Sequence, residues 1–259
     1  MKSQINVYLV ISLIQRNRSK MKINSLYHIY QDKWKKYSSA WIISDTHFGE
    51  DDLKEAFPNR PTDETLVKTI NASAGRNDVL IHLGDIGDVE YVRKLRAAHK
   101  ILVMGNHDKG VSNYRRKKIC EDYDEAKYTI NEVKAIAEEK YPGWRINIHQ
   151  GYSFHAPFSY WRVCADNMLF DEVYEGPLML GEKLILTHEP VIIPWAFNIH
   201  GHDHNEHLGD DYHYNVNLEM REYKPTNLNK LMREGVTSNV PTLHRLAINT
   251  AVRRKENGE

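Results

Sequence analysis

"SAWIISDTH", residues 39–47, is the stretch on which the reading of this chain turns. Trp41, Ile42 and Ile43 form a short apolar run of the kind that makes a buried strand, and the run stops abruptly at a polar group. In that group Asp45 and His47 sit two apart, and residues i and i+2 of an extended backbone face the same way, about 6–7 Å apart at their base. Working outward, the same pattern recurs in "DVLIHLGD" (78–85), "KILVMGNHD" (100–108), "EKLILTHEP" (182–190) and "WAFNIHGHDH" (195–204). Each is a short aliphatic run that ends in aspartate, histidine or asparagine.

Between the first three runs lie segments with apolar residues at helical spacing, "TDETLVKTINASA" (62–74) and "DVEYVRKLRAAH" (88–99), with Asp63 and Asp88 placed to cap them. Alternating strand and helix predicts βαβ units and a largely parallel or mixed sheet. In open α/β sheets ligands bind in the crevice beyond the carboxyl ends of the strands, so five polar strand ends predict a polar crevice there. "TNLNKLMREG" (226–235) reads as a late helix stopped by Gly235, and the last residues as a solvated tail.

Composition excludes several classes. Lys+Arg and Asp+Glu are both 35 in 259 residues, so zero formal charge gives no overall pull toward nucleic acid or an anionic membrane. Two distant cysteines, Cys120 and Cys164, in no CxxC pair, argue against a disulfide framework or a cysteine zinc site and for a reducing compartment, hence the cytoplasm. "INVYLVISLI" (5–14) is too short to span a bilayer and runs into "QRNRSK" rather than a small-residue cleavage site, which argues against a signal peptide. Met21 is an alternative start. No other stretch reaches membrane length.

Imidazole, carboxylate and amide oxygen together suit divalent ions such as Mn²⁺, Fe²⁺, Zn²⁺ or Ni²⁺. A glycine before Asp85 and before Asn106 lets the backbone turn sharply there. D-x-H (Asp45, His47), G-D (Gly84, Asp85), G-N-H-D (105–108), a lone strand-end histidine (His188) and G-H-x-H (201–204), in this order, resemble the calcineurin-like metallophosphoesterase superfamily, in particular its small prokaryotic and phage-type members. The resemblance covers residues 41–204 and extends to "YNVNLEMREYKP" (214–225), which looks like a closing strand. It implies a fold of two mixed β-sheets sandwiched between helices, in four layers. It also implies a dinuclear centre in which Asp45, His47 and His204 hold one ion, Asn106, His188 and His202 the other, and Asp85 bridges them. The ions, Mn²⁺ foremost with Fe, Zn or Ni as alternatives, would share a water and activate it as hydroxide. His107 would contact a phosphoryl oxygen or protonate the leaving group, with Asp108 orienting its ring. The implied activity is hydrolysis of a phosphodiester or nucleotide-type phosphate ester. Phosphomonoesterase, nuclease and non-catalytic scaffold are the alternatives. The expected partner is a small phosphate ester or nucleotide, with nucleic acid less favoured and no membrane.

Two departures narrow the substrate. Ser/Thr protein phosphatases of this superfamily carry G-D-x-x-D-R-G and G-N-H-E. Here the run is "GDIGDVE", with Val89 in place of the arginine, and Asp108 ends the second block, so a phosphoprotein substrate is disfavoured. Residues 119–167 stand out as an insertion, with a helix expected within 123–141 and an aromatic stretch over 149–163. Its plain reading is a packing subdomain. The sharper one is a lid in which Tyr160, Trp161 and Arg162 select a ring-containing substrate. Arg60 is a further candidate substrate contact. His82 reads as a satisfied core histidine, His155, His207 and His213 as weak candidates for the cleft, and "YRRKK" (114–118) as a solvated charge run. The expected organisation is an N-terminal extension over 1–38, the phosphoesterase domain over 39–240 and a tail over 241–259.

Overall fold

The computed structural model describes residues 36–154, 158–181, 183–205, 208–241 and 253–254. The extension over residues 1–35, most of the C-terminal tail, and the candidates His155 and His207 lie outside the described residues. Along the chain come β1 (Ala40–Ile43), α1 (Asp52–Ala56), α2 (Asp63–Ser73), β2 (Val79–His82), α3 (Val89–Arg93) and β3 (His99–Val103). Then follow α4 (Val111–Tyr114), β4 (Lys118–Asp124), α5 (Ile130–Lys140), β5 (Arg145–Ser153), β6 (Phe158–Asp166) and β7 (Glu172–Tyr174). The chain closes with β8 (Leu178–Leu180), β9 (Leu184–Leu186), β10 (Phe197–His200), β11 (His213–Asn215), β12 (Thr226–Asn227) and α6 (Leu228–Arg233).

Two mixed sheets form the body. The first has the order β12-β1-β2-β3-β7, parallel except for β12, and the second the order β11-β10-β9-β8, parallel except for β8. They pack face to face. Ala40, Ile42, Val79, Ile81, Ile101 and Val103 of the first sheet share one buried core with Leu184, Leu186, Phe197 and Ile199 of the second. The alternate residues Ile43 and Leu80 turn outward, where Leu66, Val67 and Ile70 of α2 cover them, while Leu102 meets Val92 of α3. Burial on both faces is why these strands read as unbroken apolar runs rather than alternating ones. The fold is the expected mixed α/β sandwich.

Local differences have local causes. Thr62, not Asp63, caps α2 by accepting the Thr65 amide, and Asp63 instead accepts the Gly49 amide at 3.0 Å. Asp88 caps α3 as expected, but that helix ends at Arg93 because the chain must return to begin β3 at His99. In the 214–225 segment only the first two residues belong to a strand, after which a 3-10 turn over Glu219–Arg221 intervenes. Gly235, at φ 77°, stops α6 in the left-handed conformation that glycine adopts without strain.

Residues 118–166 build a third, antiparallel sheet, β4-β6-β5, with α5 packed on it through Val133, Ala137 and Val163. Thr129 and Glu132 form a reciprocal cap at the start of α5, which is why the helix begins there and residues 123–124 remain in β4. Cys120 and Cys164 are directly paired across β4 and β6 and are joined in a disulfide. This corrects the expectation of unpaired thiols. The two residues are 44 apart in sequence, and only the strand register brings them together. Among the described residues no helix is long and apolar enough to cross a membrane.

Candidate metal centre

The carboxyl ends of β1, β2, β3, β9 and β10 deliver Asp45, His47, Asp85, Asn106, His188, His202 and His204 to one edge of the sandwich. Asp45, His47, Asp85 and His202 have φ values of 57°, 38°, 57° and 67°. Four of these side chains are thus held by left-handed backbone, which strains a residue other than glycine and clusters at functional sites. Glycines make room for the carboxylates. A Cβ on Gly201 would lie 2.5 Å from Asp45 Oδ2, and one on Gly105 would collide with Asp85 Oδ1.

Two groups result. Asp45, His47 and His204 form one, and Asp85, His188 and His202 the other, each offering ligand atoms within 4.8 Å of one another. Asp45 Oδ2 accepts the His202 amide at 3.0 Å, while its Oδ1 lies 3.9 Å from His47 Nε2 and 3.8 Å from His204 Nε2. Asp85 touches both groups, with Oδ2 3.7 Å from His47 Nε2 and 3.2 Å from His188 Nε2, and its Oδ1 accepts the His107 amide at 3.0 Å. Asn106 Oδ1 is 2.8 Å from His188 Nε2, and His202 Nδ1 is 3.2 Å from the same atom. His188 turns its other nitrogen, Nδ1, to the Leu83 carbonyl at 2.7 Å, so it is Nε2 that faces Asp85 and Asn106.

The electrostatics call for a cation. Burial pushes the Asp45 carboxyl above its ordinary range. Burial also works against a charge on His188, yet its hydrogen bond to Asp85 and the Asp45 and Asp85 charges hold its pKa well above the usual imidazole range. Without an ion, the position beside Asp85 thus draws positive charge, which a bound cation would supply in place of the proton. Asp45 Oδ1 and His47 Nε2 are buried with no hydrogen-bond partner, and their separation is too long for one. Orphaned buried donors and acceptors of this kind, from carboxylate and imidazole, fit a divalent ion placed between them.

The match to known proteins follows the same residues. The family model described as calcineurin-like phosphoesterase matches residues 39–229, most of the chain and all seven of these side chains. The chain belongs to the calcineurin-like phosphoesterase family. The chain is also similar, at 22% identity, to a crystal structure of a protein of unknown function from Aquifex aeolicus, covering 75% of this chain and 98% of that one with a TM-score of 0.46. No curated protein matches it.

Other expected site residues of this phosphoesterase fall differently. His107 is exposed, with its ring edge-on to His47 at 5.4 Å between centroids. Asp108 accepts the amides of Gly105, Asp85 and Ile86 at 2.9, 3.1 and 3.2 Å, and among the described residues no hydrogen bond joins it to the His107 ring. The structure therefore gives Asp108 the task of tying the G-D turn to the G-N-H-D turn. Arg60, expected at the substrate, is buried, and its guanidinium is committed to Glu219 and to the Thr46 carbonyl. Tyr160, Trp161 and Arg162 are engaged inside the third sheet. Arg162 forks onto Asp122 at 2.7 Å in both bonds and lies over the Tyr160 ring, and Trp161 donates to the Tyr128 carbonyl at 3.0 Å. The fork commits two of the five guanidinium donors of Arg162 to Asp122 and holds the side chain on the third sheet. In the charge run, Arg116 is bound to Asp166 and Asp171.

His82 is buried and bonded at both nitrogens, and His213 is held by Asp210 and the Val191 carbonyl. Two residues escaped the sequence reading. Glu50 Oε2 is 2.7 Å from His47 Nδ1, and Glu219 Oε2 is 3.2 Å from His204 Nδ1. Glu50 lies three residues after His47, a spacing that could have flagged it, whereas nothing local marks Glu219.

Proposed function

We propose that this phosphoesterase hydrolyses phosphodiester or nucleotide-type esters at a pair of divalent ions, with Mn²⁺ the foremost candidate and Fe, Zn and Ni as alternatives. The observation that carries the reading is Asp85, whose one oxygen, Oδ2, lies within reach of a histidine from each ligand group. Asp45, His47 and His204 would hold one ion, Asn106, His188 and His202 the other, with Asp85 between them. The bound ions would supply the acidification of a shared water and the screening of the phosphoryl oxygens. His107, exposed beside His47, is placed to contact a phosphoryl oxygen or to give a proton to the leaving oxygen.

The substrate reading rests on what surrounds Asp88. Asp88 caps α3, and Val89 beside it packs against the apolar cluster of Val92 and Leu102, so no guanidinium stands where phosphoprotein phosphatases carry one. A small phosphate ester or nucleotide suits the neutral chain better than nucleic acid. A cytoplasmic location loses the support it drew from unpaired cysteines, because Cys120 and Cys164 are bonded.

The test is hydrolysis of bis-p-nitrophenyl phosphate and p-nitrophenyl phosphate, side by side, by chelator-stripped protein with and without Mn²⁺. Mn²⁺-dependent cleavage of the diester supports the proposal. Preference for the monoester overturns the diester reading, and no turnover of either overturns both.

A further inference from the structure

The two ligand groups are not supported alike. His188 is held from behind by a backbone carbonyl, that of Leu83. Both imidazoles of the Asp45 group are instead backed by carboxylates. His47 presents Nδ1 to Glu50 Oε2 at 2.7 Å and Nε2 toward Asp45 Oδ1 at 3.9 Å. His204 has a looser version of the arrangement, with Nδ1 3.2 Å from Glu219 Oε2 but no hydrogen bond between them, and Nε2 3.8 Å from Asp45 Oδ1.

We propose that Glu50 is a positioning residue that keeps the proton of His47 on Nδ1 and so turns its Nε2 lone pair to the ion position it shares with Asp45, while Glu219 stands beside His204 as an acidic neighbour without a hydrogen bond to it. This rests on the reading of the Asp45 group as an ion site. An ionised carboxylate accepts only, so the nitrogen facing it must carry the hydrogen, and the remote nitrogen of a neutral imidazole is then the free donor atom. Such a carboxylate also raises the basicity of the ligating nitrogen, and its loss typically weakens metal binding by about 10–100-fold.

The two glutamates differ in setting. The Glu50 side chain is 40% exposed, whereas that of Glu219 is 3% exposed and stands beside Arg60, at 1%. A buried carboxylate needs a buried counter-charge, and Arg60 provides it while bonding the Thr46 carbonyl between Asp45 and His47. Phe57 stacks on the other side of the His204 ring, 5.6 Å between centroids and 25° between planes. The stacking fixes the plane of the His204 ring, and its tautomer is not set by a hydrogen bond.

The experiment uses the full chain, stripped of metal, in two readouts. Nitrogen-15 imidazole spectra of the metal-free protein should show His47 protonated at Nδ1, and Glu50→Gln should move that proton on His47 while Glu219→Gln leaves it in place. A glutamine amide can donate to Nδ1 as readily as accept from it, which removes the bias. Calorimetric titration with Mn²⁺ should show two ions in the wild type, and in Glu50→Gln one ion weakened by about 10–100-fold with the other unchanged. Removing the partner of Arg60 threatens folding, so Glu50→Gln, at an exposed position, carries the test if Glu219→Gln fails to fold. Unaltered affinity for both ions in Glu50→Gln, or an Nε2–H tautomer in the wild type, overturns the inference alone. A wild type that binds no Mn²⁺ overturns the ion site and the inference with it.

Discussion

Asp45 Oδ1 and His47 Nε2 face each other across 3.9 Å, both buried and neither hydrogen-bonded. An unsatisfied buried polar group costs about 1–3 kcal/mol, so the metal-free centre carries a standing penalty that a cation removes. An ion present at 100 times its dissociation constant stabilises a protein by about 2.7 kcal/mol per site. A domain of about this size gains about 2–4 °C in Tm per kcal/mol, so each ion should raise Tm by about 5–10 °C. The check is a melting curve of chelator-stripped protein titrated with Mn²⁺. In Asp45→Asn the first increment should vanish.

His107 separates chemistry from metal binding. Its imidazole belongs to neither ligand group, and only its backbone amide touches Asp85. His107→Ala keeps that amide. The expected outcome is full Mn²⁺ stoichiometry by elemental analysis with a fall of roughly 10²–10⁴-fold in turnover. A variant that loses an ion would show that the ring holds the centre together.

The strand ends were legible in the sequence because each is a local event, a buried aliphatic run halted by a polar residue, as at Ile43-Ser44-Asp45 or Leu186-Thr187-His188. Which residues face the second sheet was not legible, because both faces of these runs are apolar. What stayed hidden depends on contacts across the fold. Arg60 looked like a cleft residue, yet Glu219 of the 3-10 turn and the Thr46 carbonyl hold its buried guanidinium. Asp108 looked like a partner for the adjacent ring, yet three backbone amides from two turns converge on it. Arg162 looked free until register placed Asp122 directly opposite.

Gly201 is a position where a single methyl group should undo the site. A Cβ there would lie 2.5 Å from Asp45 Oδ2 and collide with the Ser44 hydroxyl. Gly201→Ala should displace the Asp45 carboxylate and abolish the first Mn²⁺ step in calorimetry. Gly176→Ala, where an added Cβ meets nothing within 4 Å, is the control and should titrate as wild type.

His82 should make the fold acid-sensitive. Its Nδ1 accepts the Gly84 amide at 3.2 Å, and Nε2 lies 2.9 Å from Thr46 Oγ1, whose own hydrogen goes to the Ile86 carbonyl. Both nitrogens are thus satisfied by one neutral tautomer, and burial lowers the pKa from 6.5 to about 3. The unfolded chain binds this proton below pH 6.5, while the folded chain refuses it until about 3. His82 therefore contributes stability that is intact above pH 6.5 and drains away as the pH falls toward 3, by at most about 1.4 kcal/mol per pH unit. Urea midpoints between pH 4 and 7 should fall less steeply for His82→Gln than for the wild type. Parallel slopes would sink the assignment.

The disulfide gives the last prediction. Cys120 and Cys164 close a loop spanning 44 positions, and the chain-entropy model assigns such a closure about 4 kcal/mol through the unfolded state. The bond lies between β4 and β6, and none of the seven proposed ligands falls within 118–166. Reduction should therefore lower Tm by several degrees while leaving Mn²⁺ stoichiometry unchanged. Titration with a thiol reagent in denaturant should find no free thiol before reduction and two after it. Two free thiols in the untreated protein would return the cysteines to the unpaired state expected from their spacing, and with them the case for a reducing compartment. Cys120→Ser/Cys164→Ser should match the reduced wild type in Tm, because both lose the same cross-link and neither loses a core side chain larger than a thiol.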